Sequence, residues 1–176
     1  MATYEPIMDA LLALLRAQCG DTFNYYSRRF LMWEQIVQAT NSGTSPIRQP
    51  ALCLFDGIGL GGGRIKYEPR GRGNPGVRTI DRTIVIYARL PRASDSGADS
   101  GASGGPDAKT AGGSVFHSLM ESVENALNQN DLQQGTGMLG GLVSHCWLEG
   151  DGLMLTGETD PDGQGMATMP VRIMVP

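Results

Sequence analysis

The sequence contains few cysteines, and they form no motif. Its 176 residues include three of them, Cys19, Cys53 and Cys146, which are widely spaced and belong to no CxxC pair. A small disulfide-stabilised fold needs a denser and usually even-numbered set. We therefore exclude that class and expect three buried thiols in a reducing compartment.

Long apolar runs are also missing. No run approaches the roughly 18 residues that a transmembrane helix requires. Glu5 and Asp9 lie where a secretory signal peptide would carry positive charge. We expect a cytoplasmic product without a membrane partner.

The sequence lacks the common catalytic signatures HExxH and GxSxG, and no glycine run is followed by GK[ST]. Gly57, Gly59 and Gly62 do satisfy G-x-G-x-x-G after a predicted strand. Dinucleotide binding through this motif needs a helix N-terminus next, to aim backbone N–H groups at the pyrophosphate. The residues that follow have no helical period and include Pro69, so the motif favours a β–β loop. A nucleotide-dependent enzyme using Gly57–Gly63 is the less favoured alternative.

Two other groupings suggest chemistry only weakly. His145 and Cys146 are adjacent, and neighbours on a strand point to opposite faces, so they cannot pair as base and nucleophile. Glu158, Asp160 and Asp162 offer oxygen ligands, but Pro161 and Gly163 explain that segment as a turn and the frame of a calcium loop is missing. We predict a protein that is not an enzyme, with no catalytic, cofactor-binding or metal-binding residues.

Glycine is abundant and unevenly placed. Of 25 glycines, 14 fall in two segments, Gly57–Gly76 and Gly97–Gly113. The first carries arginines between predicted strands and is interpreted as a β-hairpin arm, 57–78, that contacts a neighbouring subunit. The second lies in a segment rich in Ser, Gly, Ala and Asp that cannot bury apolar area, so we predict a flexible linker over 92–113.

Positive charge is concentrated in one region, although the net charge is −4. Residues 64–92 carry a local charge of +6, and the remainder carries −10. This asymmetry indicates a surface for an anionic partner, either phosphate or an acidic protein face. A solvated basic loop that protects an edge strand explains it equally well. The candidate subunit-interface or DNA-facing residues are Arg64, Lys66, Arg70, Arg72 and Arg78.

Apolar periodicity predicts the secondary structure of one domain over 1–176. Helices are expected over Pro6–Gln18 and from Ser114, as N-cap, to near Asn130, and Thr22–Arg28 is interpreted as extended. The alternation in Thr79–Leu90 predicts a strand with one buried and one solvated face. Further strands are expected over Ala51–Phe55, Leu142–Glu149, Gly152–Thr156 and Ala167–Val175. The fold class is α+β, with two helices packed on one face of a mostly antiparallel β-sheet.

Several short segments carry a family resemblance. They are Thr22-Phe23, Ser27-Arg28-Arg29, Trp33, Gln49-Pro50-Ala51-Leu52, Ile86-Tyr87-Ala88, Leu139-Gly140-Gly141-Leu142-Val143, His145–Gly150, Gly163-Gln164 and Pro170–Pro176. Together they resemble the tail terminator (tail completion) proteins of long-tailed bacteriophages. The resemblance spans most of the chain apart from 92–113.

The resemblance implies a structural virion protein that forms a hexameric ring at the head-proximal end of the tail. Such a ring would end tail-tube polymerisation and present a docking surface to head-completion or connector proteins. Its partners would be further copies of itself, the tail tube protein and a head-completion protein. DNA passing through the lumen would make non-specific contacts, and assembly would take place in the host cytoplasm. The alternative within the virion is another head–tail joining (neck) adaptor.

Overall fold

A computed structural model describes residues 4–29, 35–36, 48–55, 65–70, 74–89, 106–133, 138–149, 153–156 and 164–175. Two α-helices and seven strands are assigned within these residues, so the chain is α+β as predicted. Outside them lie most of the region from Phe30 to Gln38, the 92–105 part of the predicted linker and the predicted turn at Asp160–Gly163.

The helices are α1, Tyr4–Cys19, and α2, Pro106–Gln133. The predicted start of α2 at Ser114 is wrong, and so is the flexible linker over 106–113, because helix already occupies those residues. Proline suits the first turn of a helix, since its ring fixes φ and its missing N–H is not needed there. Asp107 favours the same end because an acidic residue in the first turn complements the helix dipole.

The strands are β1 (Tyr25–Ser27), β2 (Ala51–Phe55), β3 (Ile65–Arg70), β4 (Asn74–Arg89), β5 (His145–Leu148), β6 (Leu153–Thr156) and β7 (Gln164–Val175). They form one sheet in the order β1-β2-β4-β7-β5, with β3 also on β4 and β6 also on β7. Every pairing is antiparallel except β1 with β2. The sheet is therefore mixed and mostly antiparallel.

Strands β2 and β3 lie one after the other along the same edge of β4. Phe55, the last residue of β2, is opposite Thr83, and Ile65, the first residue of β3, is opposite Ile80. Strands β5 and β6 follow one another along the outer edge of β7 in the same way. The sheet thus consists of two long hairpins joined through the central β4–β7 pair.

The β3–β4 hairpin extends past the end of β7. Pairing of β4 with β7 begins at Arg78 and Val175, whereas β3 pairs with β4 as far as Asn74. Four residues of β4 therefore continue beyond that pairing, a length of about 13 Å at the usual rise of a strand. Strand β4 begins at Asn74, five residues before the predicted Thr79, because this hairpin extends the ladder.

The main core lies between the two helices and one face of the sheet. Helix α1 contributes Ile7, Met8, Leu11 and Leu15 at helical spacing, as its apolar stripe predicts. The buried residues of α2 and the sheet that complete this cluster include Phe116, Leu119, Val123, Leu52, Leu54, Ile80, Ile84, Ile86, Met169, Val171 and Ile173. Both helices therefore cover the same face of the sheet.

The opposite face of β4 is not the solvated face that alternation predicts. Thr83 is 1% exposed, and Val85 and Tyr87 are buried in a second cluster with Ala51, Cys53 and Ile36. The prediction was wrong because a strand's own pattern does not show whether another segment covers its second face. Here Ile36, from the region between β1 and β2, packs on that face.

Polar contacts attach α1 to the segment around β1. The Arg28 guanidinium donates to Glu5 at 2.7 Å and to Asp9 at 2.9 Å, and these hydrogen bonds raise its pKa. Tyr26 donates its hydroxyl to the Gly20 carbonyl and lies under the Arg16 guanidinium. These contacts hold β1 close to the helix that precedes it.

A tight turn precedes β5. Leu139, Gly140 and Gly141 have φ values of 54°, 68° and 83°, and an isolated bridge pairs Met138 with Val143. Glycine adopts this left-handed region without the steric cost that a Cβ adds, which explains two of the three positions. The turn brings Met138 against β5, where its sulfur accepts a hydrogen bond from the Cys146 amide.

Candidate assembly surface

The structure separates the five predicted interface cations. Lys66 is exposed on β3, opposite Thr79, on the sheet face away from the helices. Arg70 ends β3, while Arg64 and Arg72 lie outside the described residues. Arg78 differs from Lys66 because it is only 6% exposed and lies on the helix-covered face. Of the described side chains, Lys66 is the cation that an incoming partner can reach on this hairpin.

Strand β3 also presents apolar surface. Ile65 is 39% exposed and Tyr67 is 64% exposed, and both are large side chains. Their cross-strand partners, Ile80 and Arg78, lie on the helix-covered face, so Ile65 and Tyr67 point to the same side. Exposed apolar residues on an edge strand are a typical feature of a surface that another chain covers.

The hairpin contacts the first turn of α1. The hydroxyls of Tyr4 and Tyr67 are 3.0 Å apart and share a hydrogen bond, which raises the pKa of Tyr67. The Arg78 guanidinium lies 4.4 Å from the centre of the Tyr4 ring, within cation–π range. Arg78 therefore orients the hairpin against α1 and is unsuited to direct partner contact.

A row of polar side chains crosses the sheet face away from the helices. Asp81, Arg172 and Trp147 are aligned by register on β4, β7 and β5. Arg172 donates from Nε to Asp81 at 2.8 Å and from Nη1 to Glu149 at 2.6 Å, and the Trp147 indole also donates to Glu149 at 2.6 Å. The guanidinium thus bridges two carboxylates and ties β5 to the centre of the sheet.

Replacing Arg172 by methionine is expected to lower the free energy of unfolding by about 1–2 kcal/mol at low salt. The variant leaves Asp81 and Glu149 without their shared cation. The side chains are 34%, 23% and 41% exposed for Arg172, Asp81 and Glu149, so solvent screens the effect. A double-mutant cycle with Asp81→Asn, measured by urea unfolding, isolates the Asp81–Arg172 coupling. Arg29→Met, which removes an exposed arginine, is the control, and a zero coupling energy would contradict the prediction.

The structure places the two sequence motifs without bringing a site together. Cys146 is buried and its neighbour His145 is exposed on the opposite face of β5, as strand geometry predicts. His145 instead lies edge-to-face with Trp147 at 6.5 Å. After the glycines of Gly57–Gly63 the chain enters strand β3, so the helix that dinucleotide binding needs is not at this position. These residues connect two strands, as predicted.

Tyr4 and Tyr67 were missed by sequence reasoning. They are 63 residues apart, and only the tertiary fold brings their hydroxyls together. The alternation of β3 offered one signal, because Ile65 and Tyr67 alternate with Lys66 and Glu68 as they do on a half-covered strand. That pattern was obscured by the surrounding glycines and arginines.

Within the part of the chain that the structure describes, no three His, Cys, Asp or Glu side chains are grouped as metal ligands. No helix there has the length and apolarity needed to span a membrane. Comparison of the chain with protein-family models and with curated proteins finds no match.

Proposed function

We propose that this chain is a tail terminator protein, which forms a ring on the head-proximal end of a bacteriophage tail tube. In this role it ends tube polymerisation and presents a docking surface to head-completion or connector proteins. The proposal rests on the family resemblance of the sequence, with which the α+β architecture is compatible.

The observation that carries the proposal is the open edge of β3. A subunit that assembles head-to-tail needs two unlike surfaces, one of which must remain uncovered in the isolated chain. Strand β3 offers Ile65 and Tyr67 as exposed apolar contacts and Lys66 as an exposed cation. Its contact with α1 through Tyr4 and Arg78 fixes the orientation of this edge.

A closed ring also explains why such a subunit would stop growth. Head-to-tail contacts that close into a ring leave no free end, whereas the same contacts in an open helix continue indefinitely. A ring on the last tube layer would therefore cover the surface to which the next tube subunit binds. The charge asymmetry of the chain favours contact between unlike surfaces.

The test is tube growth in vitro. Purified tail tube protein from the same phage is polymerised with increasing, substoichiometric amounts of this chain, and tube lengths are measured by negative-stain electron microscopy. We expect tubes to shorten in proportion to the added chain, with additional density at one end. Heat-denatured chain at equal concentration is the control.

Three results would contradict the proposal. Unchanged tube lengths with no end density would remove the terminator function. Regular decoration along the tube would make the chain a tube or sheath component. Binding to a connector complex without binding to tubes would favour the neck adaptor instead.

A further inference from the structure

The two outer edges of the sheet differ in charge. One edge contains β3, and the sequence around it, residues 64–78, has five basic residues and one acidic residue. The other edge contains β6, and the sequence around it, residues 149–162, has five acidic residues and no basic residue. Among the described strands, β3 pairs only with β4 and β6 pairs only with β7, so each strand has an open side.

The open part of β3 is short. The register shifts between Glu68 and Arg70, and Pro69 has no N–H to donate. Bulges and prolines are the devices by which natural sheets close their edges to unwanted pairing. Ile65–Tyr67 therefore remain as the stretch that can accept another strand, a length that matches the four residues of β6, Leu153–Thr156.

Charge decides which edges can meet. Two copies joined through β3 of each would place a net +4 segment against another, and two joined through β6 would place −5 against −5. Both symmetric arrangements bring like charges together, which disfavours them. The unlike arrangement brings opposite charges together and so favours head-to-tail contact, the kind from which rings are built.

We propose that β3 of one copy pairs with β6 of the next copy, so that a second copy of this chain is the partner for the β3 edge. The contact continues the sheet from one subunit into its neighbour, covers Ile65 and Tyr67, and brings the basic hairpin beside the acidic one. This inference rests on the proposed ring and names the surfaces that would build it.

A charge swap tests the pairing. The basic-edge variant is Lys66→Glu with Arg70→Glu, and the acidic-edge variant is Glu158→Lys with Asp160→Lys. Each variant alone carries like charge on both edges, so we expect loss of the wild-type oligomer in sedimentation velocity at low ionic strength. An equimolar mixture of the two restores opposite charge at every contact, and we expect the oligomer to return.

The control carries the same change in charge elsewhere. Glu121→Lys with Glu124→Lys reverses two exposed acidic residues of α2 and should leave the oligomer unchanged. Circular dichroism and thermal unfolding establish that each variant is folded. Combining both swaps in one chain is a second test, because its edges are again opposite in charge and should self-associate.

Several results would overturn the inference. They are a wild-type chain that stays monomeric at low salt, single-edge variants that assemble like wild type, or a mixture that does not recover. Salt-dependent binding of duplex DNA that the basic-edge variant abolishes, with its oligomer unchanged, would assign the hairpin to DNA.

The outcome is separable from that of the proposed function. If tubes are capped by wild type and equally by both single-edge variants, the terminator function stands and the β3–β6 pairing fails. If the charge swap controls oligomer formation but tubes are not capped, the pairing stands and the terminator function fails.

Discussion

Raising the pH from about 8 to about 11 is expected to lower the free energy of unfolding by about 4–5 kcal/mol, through two buried thiols. Burial raises the pKa of Cys19 from 9.0 to about 11 and that of Cys146 from 9.0 to about 12. Between pH 9 and these values the unfolded chain has lost protons that the folded chain retains. Stability is therefore complete below pH 9 and falls as the pH rises.

Urea unfolding at several pH values measures this loss, and alanine variants assign it. Cys146→Ala should reduce the slope of stability against pH by up to about 1.4 kcal/mol per pH unit in the range from 9 to 11. The same variant at pH 8, where both thiols are protonated, gives the cost of lost packing separately. If the slope is unchanged when Cys19 and Cys146 are both replaced, the prediction is wrong.

Replacing Phe116 by alanine is expected to lower the free energy of unfolding by about 3–5 kcal/mol. Phe116 is fully buried in the cluster between the helices and the sheet. Its removal leaves a cavity at the centre of the layer that joins α2 to β4 and β7, in addition to the lost transfer energy of the ring.

The neighbouring residue supplies the matched control. His117 is exposed on the same helix, and His117→Ala should change stability by no more than about 0.5 kcal/mol. Phe116→Leu should fall between the two because it retains most of the apolar volume. A loss below about 1 kcal/mol for Phe116→Ala would show that this part of the core is not packed as described.

Local pattern was sufficient for several elements. Strand β2 occupies Ala51–Phe55, the predicted range, because a compact apolar run lies between Pro50 and Asp56–Gly57. The stripe of α1 predicted its buried side chains since helical spacing places them on one face. The three cysteines are buried free thiols, as their number and spacing indicated.

Other features depend on contacts between distant residues. The start of α2 was placed too late because glycine and serine around Pro106 suggest a linker, whereas the helix begins there. Arg78 appeared to be one of five equivalent cations in the hairpin, and the fold instead buries it beside Tyr4. No local pattern distinguishes Arg78 from Arg70.

The sequence by itself determined the class of the fold, the order of most of its strands and the concentration of positive charge around one hairpin. These follow from periodicity, turn residues and composition, which act over a few neighbouring residues. Only the tertiary structure decided that β2 and β3 share one edge of β4, that the second sheet face is partly buried and that Ile65 and Tyr67 remain exposed. Register and coverage depend on which distant segments pack together, and that is settled by the whole chain at once.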